Sequence, residues 1–221
     1  MVEAGFSFTP LTRRELEELE VQTRKDQELL SVETRVLDYL KSRALHEGVI
    51  RDFRLGAAVD GGRVFLTIPY LARIGVGMRK LRRVPELVDG KWVQPAGPKY
   101  LAPKGAGTPL FNTRALSVDS PILFATEGEV DAITTQGLLG FPAVGVPGGT
   151  VWRPSWEFLF APYTEVVWLG DGDETGAKFA ARADGIANAR GLVFPDGKDP
   201  NSVAVEEGVP GLAEILGVGL E

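Results

Sequence analysis

The sequence predicts an α/β fold. A mostly parallel sheet flanked by helices is expected over residues 119–221, preceded by a smaller, basic α+β subdomain (35–118) and an N-terminal helical arm (1–34). Three observations predict it. From Asp119 on, four short apolar runs (122–125, 143–146, 166–169 and 192–194) alternate with helix-compatible stretches, the pattern of a buried parallel sheet. Upstream, Val64 to Tyr70 alternates and branches like a strand after the Gly61-Gly62 turn. Leu16, Leu19, Leu29, Leu30, Val36, Leu37 and Leu40 recur at rough helical spacing before it.

The 221 residues suffice for a substantial core, and 44% apolar with 24% charged residues is ordinary globular composition. There is no cysteine, which excludes a disulfide framework and a thiolate zinc site and fits a reducing cytoplasm. No apolar run reaches 18 residues, and the first ten residues lack a basic-then-apolar signal pattern, so neither a spanning helix nor a leader is expected. The one histidine, His46, reads as an ordinary surface residue. The net charge of −6 argues mildly against a generic nucleic-acid binder, but its distribution matters more. Arg63, Arg73, Arg79, Lys80, Arg82, Arg83, Lys91, Lys99, Lys104 and Arg114 face only Glu86 and Asp89 along that stretch, and the chain is acidic from Asp119 onward. A basic half opposite an acidic half suits a site with metal on one side and phosphate on the other.

In chain order, Thr12 with Glu15 has capping-box spacing and opens a helix that breaks near Ser31; a second amphipathic helix covers 35–45. A short connector follows over 49–55. Pro69 marks the end of the next strand or an edge. Residues 73–83 read as a turn and a basic strand, and 85–109, with Trp92 and Tyr100, as hairpin and loop. In the acidic half, helices are expected over 130–139, 155–160 and 175–189, the last closed by Gly191, and Pro147-Gly148-Gly149 ends a strand.

Ligands of open parallel sheets bind at the carboxyl ends of the strands. Glu127 lies just past one strand, Asp171 and Asp173 just past another. If those strands are neighbours, the carboxylates converge on one rim. Asp131, four residues after Glu127, can join from the helix, and Asp196 and Asp199 follow a further strand. Such crowded carboxylates repel unless a cation sits among them. Hard oxygen donors without His or Cys point to magnesium, or manganese in its place, in phosphoryl chemistry.

These residues resemble the Toprim domain shared by DnaG-type primases, topoisomerases and some nucleases. Glu127-Gly128-Glu129-Val130-Asp131-Ala132 is similar to its Glu-Gly-x-x-Asp, and Asp171-Gly172-Asp173 with Gly176 to its Asp-x-Asp-x-x-Gly. Pro195-Asp196-Gly197-Lys198-Asp199-Pro200-Asn201 resembles the Lys-Asp-Pro-Asp stretch of primases. So do upstream segments: Tyr39-Leu40-Lys41-Ser42-Arg43-Ala44-Leu45 with Phe53-Arg54-Leu55-Gly56, Gly62-Arg63-Val64 through Ile68-Pro69, and Pro98-Lys99-Tyr100-Leu101 with Pro109-Leu110-Phe111. The likeness covers roughly residues 35–205.

The resemblance implies a DNA-directed RNA primase core that makes short primers on single-stranded DNA by metal-dependent nucleotidyl transfer. It implies Glu127, Asp171 and Asp173 at the metal site, with Asp131 and Asp199 as acidic support. Arg63, Arg79, Lys99 and Tyr100 are expected to face template or nucleotide. Magnesium or manganese is the expected cofactor, with no zinc in this chain. Single-stranded DNA and ribonucleoside triphosphates are the expected partners, and no membrane. Without cysteines the family's zinc-binding template reader is expected to be missing, and so are the modules beyond residue 205. Such a core resembles phage-encoded primases of the bacterial cytoplasm, served by a separate zinc-binding subunit and a replicative helicase. Two alternatives share the motifs: a Toprim nuclease with water as nucleophile, and a non-catalytic DNA-binding replisome module. A topoisomerase would need a nucleophilic tyrosine on an added domain.

Overall fold

The computed structural model describes residues 11–101, 109–146 and 153–220. Lys104 and the Pro147-Gly148-Gly149 turn lie outside the described residues. Helix α1 (Arg13–Leu30) starts at a capping box in which Thr12 and Glu15 satisfy each other's backbone N–H, as their spacing predicts. It ends beside Ser31, and α2 (Thr34–Ser42) and α3 (Glu47–Asp52) follow.

The basic half is an antiparallel sheet in the order β1-β2-β3-β6, with strands Gly56–Asp60, Arg63–Ala72, Gly75–Arg83 and Tyr100–Leu101. A separate hairpin joins β4 (Glu86–Val88) to β5 (Lys91–Val93). Pro69 does not end β2, which runs on to Ala72. The β1–β2 ladder stops at Gly56↔Thr67, so Pro69 lies where β2 is locally an edge and its missing N–H leaves no bond unmade.

The acidic half is a parallel sheet in the order β10-β9-β7-β8: Ala189–Val193, Glu165–Gly170, Ile122–Thr126 and Ala143–Gly145. Helices α4 (Glu129–Leu139), α5 (Glu157–Phe160), α6 (Glu174–Ala180) and α7 (Pro200–Leu216) surround it. The central strands are buried on both faces. Phe124, Val167 and Leu169 join the core shared with Leu40, Ile68, Ile133 and Leu212, whereas Leu123, Ala125, Val166 and Trp168 join a second core with Phe160 and Phe179.

Two expectations need correction. The helix after Asp173 ends at Ala180 instead of running to residue 189, and Gly191 is not its cap but sits inside β10 opposite Trp168. The strand passes so close to the end of α6 that a Cβ at Gly191 would come within 2.5 Å of the Ala180 carbonyl oxygen. The sequence reading also assigned nothing to 200–216, where α7 forms. It opens on a capping box between Asp199 and Ser202 and packs on α4.

Side-chain amides join the halves. Buried Asn112 donates from Nδ2 to Gln136 Oε1 and the Ala143 carbonyl, both at 2.8 Å. Asn201 Nδ2 donates to Thr134 Oγ1 at 2.6 Å and to the Arg43 carbonyl at 2.8 Å, holding α7, α4 and the end of α2 together.

Candidate active site

β7 and β9 are adjacent and parallel, with Thr126 opposite Leu169, so Glu127 and Asp171 leave neighbouring strand ends. The Asp171 backbone N–H donates to Glu127 Oε1 at 3.0 Å. Asp173 caps α6, its Oδ1 accepting from Gly176 N–H at 2.8 Å. Gly172 is laced to the 195–198 loop: its N–H donates to the Lys198 carbonyl at 2.7 Å, and its carbonyl accepts from Gly197 N–H at 2.8 Å. A Cβ at Gly172 would lie 1.9 Å from the Pro195 oxygen, and one at Gly176 2.0 Å from the Asp171 oxygen. Backbone contact thus accounts for both glycines of the Asp-Gly-Asp-x-x-Gly stretch.

A cavity of about 400 Å³ lies over these strand ends, lined by Glu127, Gly128, Glu129, Val130, Asp131, Asp171 and Asp199 on one side and Arg43, Lys80, Arg82, Lys99 and Tyr100 on the other. The basic and acidic halves therefore face one cleft. Of the residues singled out from sequence, Glu127, Asp131, Asp171, Asp199, Lys99 and Tyr100 line it. Asp173 is exposed beside it, near enough for its charge to raise the Glu127 pKa. Arg63 is exposed at the start of β2 and does not line the cavity. Arg79 points the other way, ion-paired with buried Asp26 of α1. Arg43, Lys80, Arg82 and Glu129 were not singled out. The two-residue period of β3 puts Lys80 and Arg82, which line the cavity, on the face opposite to Arg79, and was the signal available.

The carboxyl groups are held away from their ordinary titration range. Desolvation raises Asp171 to about 8, reinforced by Asp131, Glu127, Asp199 and Asp173. Desolvation and then Asp199 raise Asp131 to about 7 against the opposing charge of Arg43. Glu127 is raised by desolvation, against the Asp171 N–H that it accepts. Glu129 differs: Lys80 Nζ and Tyr70 Oη each reach its Oε1 at 2.5 Å, and the ammonium first, with these hydrogen bonds, outweighs its burial and lowers its pKa. Lys99 is pushed below its ordinary value by desolvation and then by Arg82 and Arg43.

Among the described residues no three carboxylates or imidazoles are gathered closely enough to enclose a metal ion by themselves. Asp131 Oδ1 and Asp171 Oδ1 are nonetheless buried without a hydrogen-bond donor. Orphaned carboxylate oxygens with raised pKa values fit a hard divalent ion held through one or two carboxylates, waters and substrate phosphates.

No family model matches the chain. The Gene 57 protein of Mycobacterium phage D29 is 43% identical over 133 residues, covering 60% of this chain and 83% of the phage protein. The chain belongs to the family of that phage protein. Solved structures extend the likeness. The DnaG primase catalytic domain bound to single-stranded DNA superposes with a TM-score of 0.71 at 20% identity, over 93% of this chain and 78% of that one. The RNA polymerase domain of Mycobacterium tuberculosis primase DnaG in complex with double-stranded DNA gives 0.74 at 19%, over 93% and 81%. The fold is therefore that of the DnaG catalytic core, the Toprim sheet with its preceding antiparallel subdomain. No helix among the described residues is long and apolar enough to cross a membrane.

Proposed function

We propose that the chain is the catalytic core of a DNA-directed RNA primase that joins ribonucleotides on a single-stranded DNA template. One observation carries this reading: Glu127, Asp131, Asp171 and Asp199 face Arg43, Lys80, Arg82 and Lys99 across a single cavity. Glu127, Asp171 and Asp173 would hold magnesium or manganese, with Asp131 and Asp199 as nearby acidic support. When bound, the ion supplies charge neutralisation at a transferring phosphoryl group and an acidified primer hydroxyl. The chain's own residues do the rest. Arg82 and Lys99 present positive charge to phosphates on the opposite wall, and Tyr100 offers a ring edge for a base or sugar. Arg63, exposed outside the cavity, would contact the template backbone. The divisions at residues 34 and 118 mark the arm, the template-facing subdomain and the Toprim domain.

Kinship with a phage protein supports a role in phage DNA replication within the host cytoplasm, with a separate zinc-binding subunit and a helicase as partners. Incubating the protein with labelled single-stranded DNA, magnesium and ribonucleoside triphosphates tests the reading. New RNA that depends on Asp171 supports it. Shortening of the DNA assigns the same carboxylates to a nuclease, and metal-independent binding alone assigns a replisome module.

A further inference from the structure

Arg82 is 5% exposed, yet its guanidinium lines the cavity. Nη1 donates to Tyr100 Oη at 2.6 Å and Nη2 to Tyr39 Oη at 2.7 Å, while Nε is buried with no acceptor. The guanidinium also lies 5.4 Å from the Tyr100 ring and 5.7 Å from the Tyr39 ring. Both partners are tyrosine hydroxyls, and no described carboxylate is within ion-pair distance. Lys80, two residues earlier on the same face, is by contrast neutralised by Glu129. Arg82 is thus a buried cation whose charge is balanced by nothing in its immediate shell. Such a group is costly unless an anion completes it.

The two tyrosines come from different elements. Tyr100 is the cross-strand partner of Arg82 in the β3–β6 ladder. Tyr39 comes from α2, is 3% exposed, and does not line the cavity. Its ring is fixed from behind by Trp92 of the β4–β5 hairpin, edge-on at 5.4 Å. An arginine side chain alone samples many rotamers; two hydroxyls on separate elements leave its fork one orientation.

We infer that Tyr39 is a positioning residue: with Tyr100 it locks the Arg82 guanidinium toward the carboxylate wall, where it contacts a phosphate group of the substrate. The inference rests on the primase reading only for which phosphate is bound. Tyr39 touches no substrate itself and acts through Arg82.

A double-mutant cycle on phosphate binding tests this. Inorganic tripolyphosphate is titrated, with excess magnesium, into wild type, Tyr39→Phe, Arg82→Gln and the double variant. Loss of one charge-assisted hydrogen bond predicts about tenfold weaker binding by Tyr39→Phe, with the double variant no weaker than Arg82→Gln alone. In rNTP kinetics the same substitution raises KM with little change in kcat. Tyr163→Phe, which removes a hydroxyl bonded to the Ala115 carbonyl in the second core and outside the cavity lining, leaves tripolyphosphate binding unchanged. Unaltered binding by Tyr39→Phe, an equal further loss on the Arg82→Gln background, or no tripolyphosphate binding by wild type overturns the inference. RNA synthesis by the same wild-type preparation separates the two readings. Primers without coupling remove the Tyr39 role alone; coupling without primers removes the primase reading alone.

Discussion

The backbone N–H of Asp171 donates to the carboxylate of Glu127 at 3.0 Å, so the ends of two neighbouring parallel strands are tied through the side chain of one and the main chain of the other. That bond fixes Glu127 while leaving the Asp171 carboxyl unsatisfied and directed into a crowded acidic rim. Asp171→Ala should therefore abolish nucleotide incorporation while removing repulsion. Its metal-free Tm is expected to rise at pH 8, by about 2–4 °C for each ~1 kcal/mol gained. Calorimetry alongside a priming assay checks both; robust primer synthesis by the variant would remove Asp171 from the metal site.

The raised carboxyls make stability depend on pH in an unusual direction. An acid whose folded pKa lies above its unfolded value binds more protons folded than unfolded, so stability falls as pH rises. For Asp131 at about 7 and Asp171 at about 8, the loss runs from their unfolded values near 3.8 up through pH 8. The metal-free protein should melt at a higher temperature at about pH 5.5 than at about pH 8, a window within that range. Added magnesium should raise Tm more at the alkaline end, and Asp171→Asn should flatten the profile. A Tm that climbs with pH across that window would contradict the cavity's electrostatics.

Lys80 and Glu129 form an ion pair that is largely sealed, with Tyr70 as a third member. Lys80→Met strands a buried carboxylate and should cost about 3–5 kcal/mol. Lys80→Met with Glu129→Gln should recover much of that, because both charges are then gone. Urea denaturation of the single and double variants measures the difference.

Gly172→Ala places a methyl group 1.9 Å from the Pro195 carbonyl oxygen. Backbone cannot yield as a flexible side chain does, so a loss of about 3 kcal/mol or more is expected, together with displacement of the Asp171–Asp173 loop and loss of activity. Gly61→Ala, where nothing lies within 4 Å of the added atom, serves as a comparison whose cost arises from its positive φ alone. Equal stability of the two variants would show that the 171–173 and 195–198 loops are not packed as described.

Much of the site was legible because its signals are local. Four apolar runs ending in acids or turns place carboxylates at strand ends whatever the rest of the chain does, and the Thr12–Glu15 spacing caps α1 as read. Helix α7 carries Gly208 and Pro210, which oppose a helix when only the local sequence is considered; the helix kinks at Gly208, and Val203 and Leu212 on either side of the kink are both buried in the shared core. The overlong α6 was misread for a related reason. Ala181 to Ala189 is helix-compatible by propensity, but pairing of β10 with β9 claims its end.

By itself the sequence determined the α/β class, the acidic rim and the existence of a basic counterpart, since periodicity and residue chemistry are written along the chain. Only the tertiary structure decided which cations serve that rim. Arg79 and Arg82 are three residues apart in one basic run, yet one is paired with Asp26 of α1 and the other is held by Tyr39 and Tyr100 against the cavity. Alternate strand residues face opposite sides, and what waits on each side is set by elements that the chain brings back from some 18 to 53 positions away.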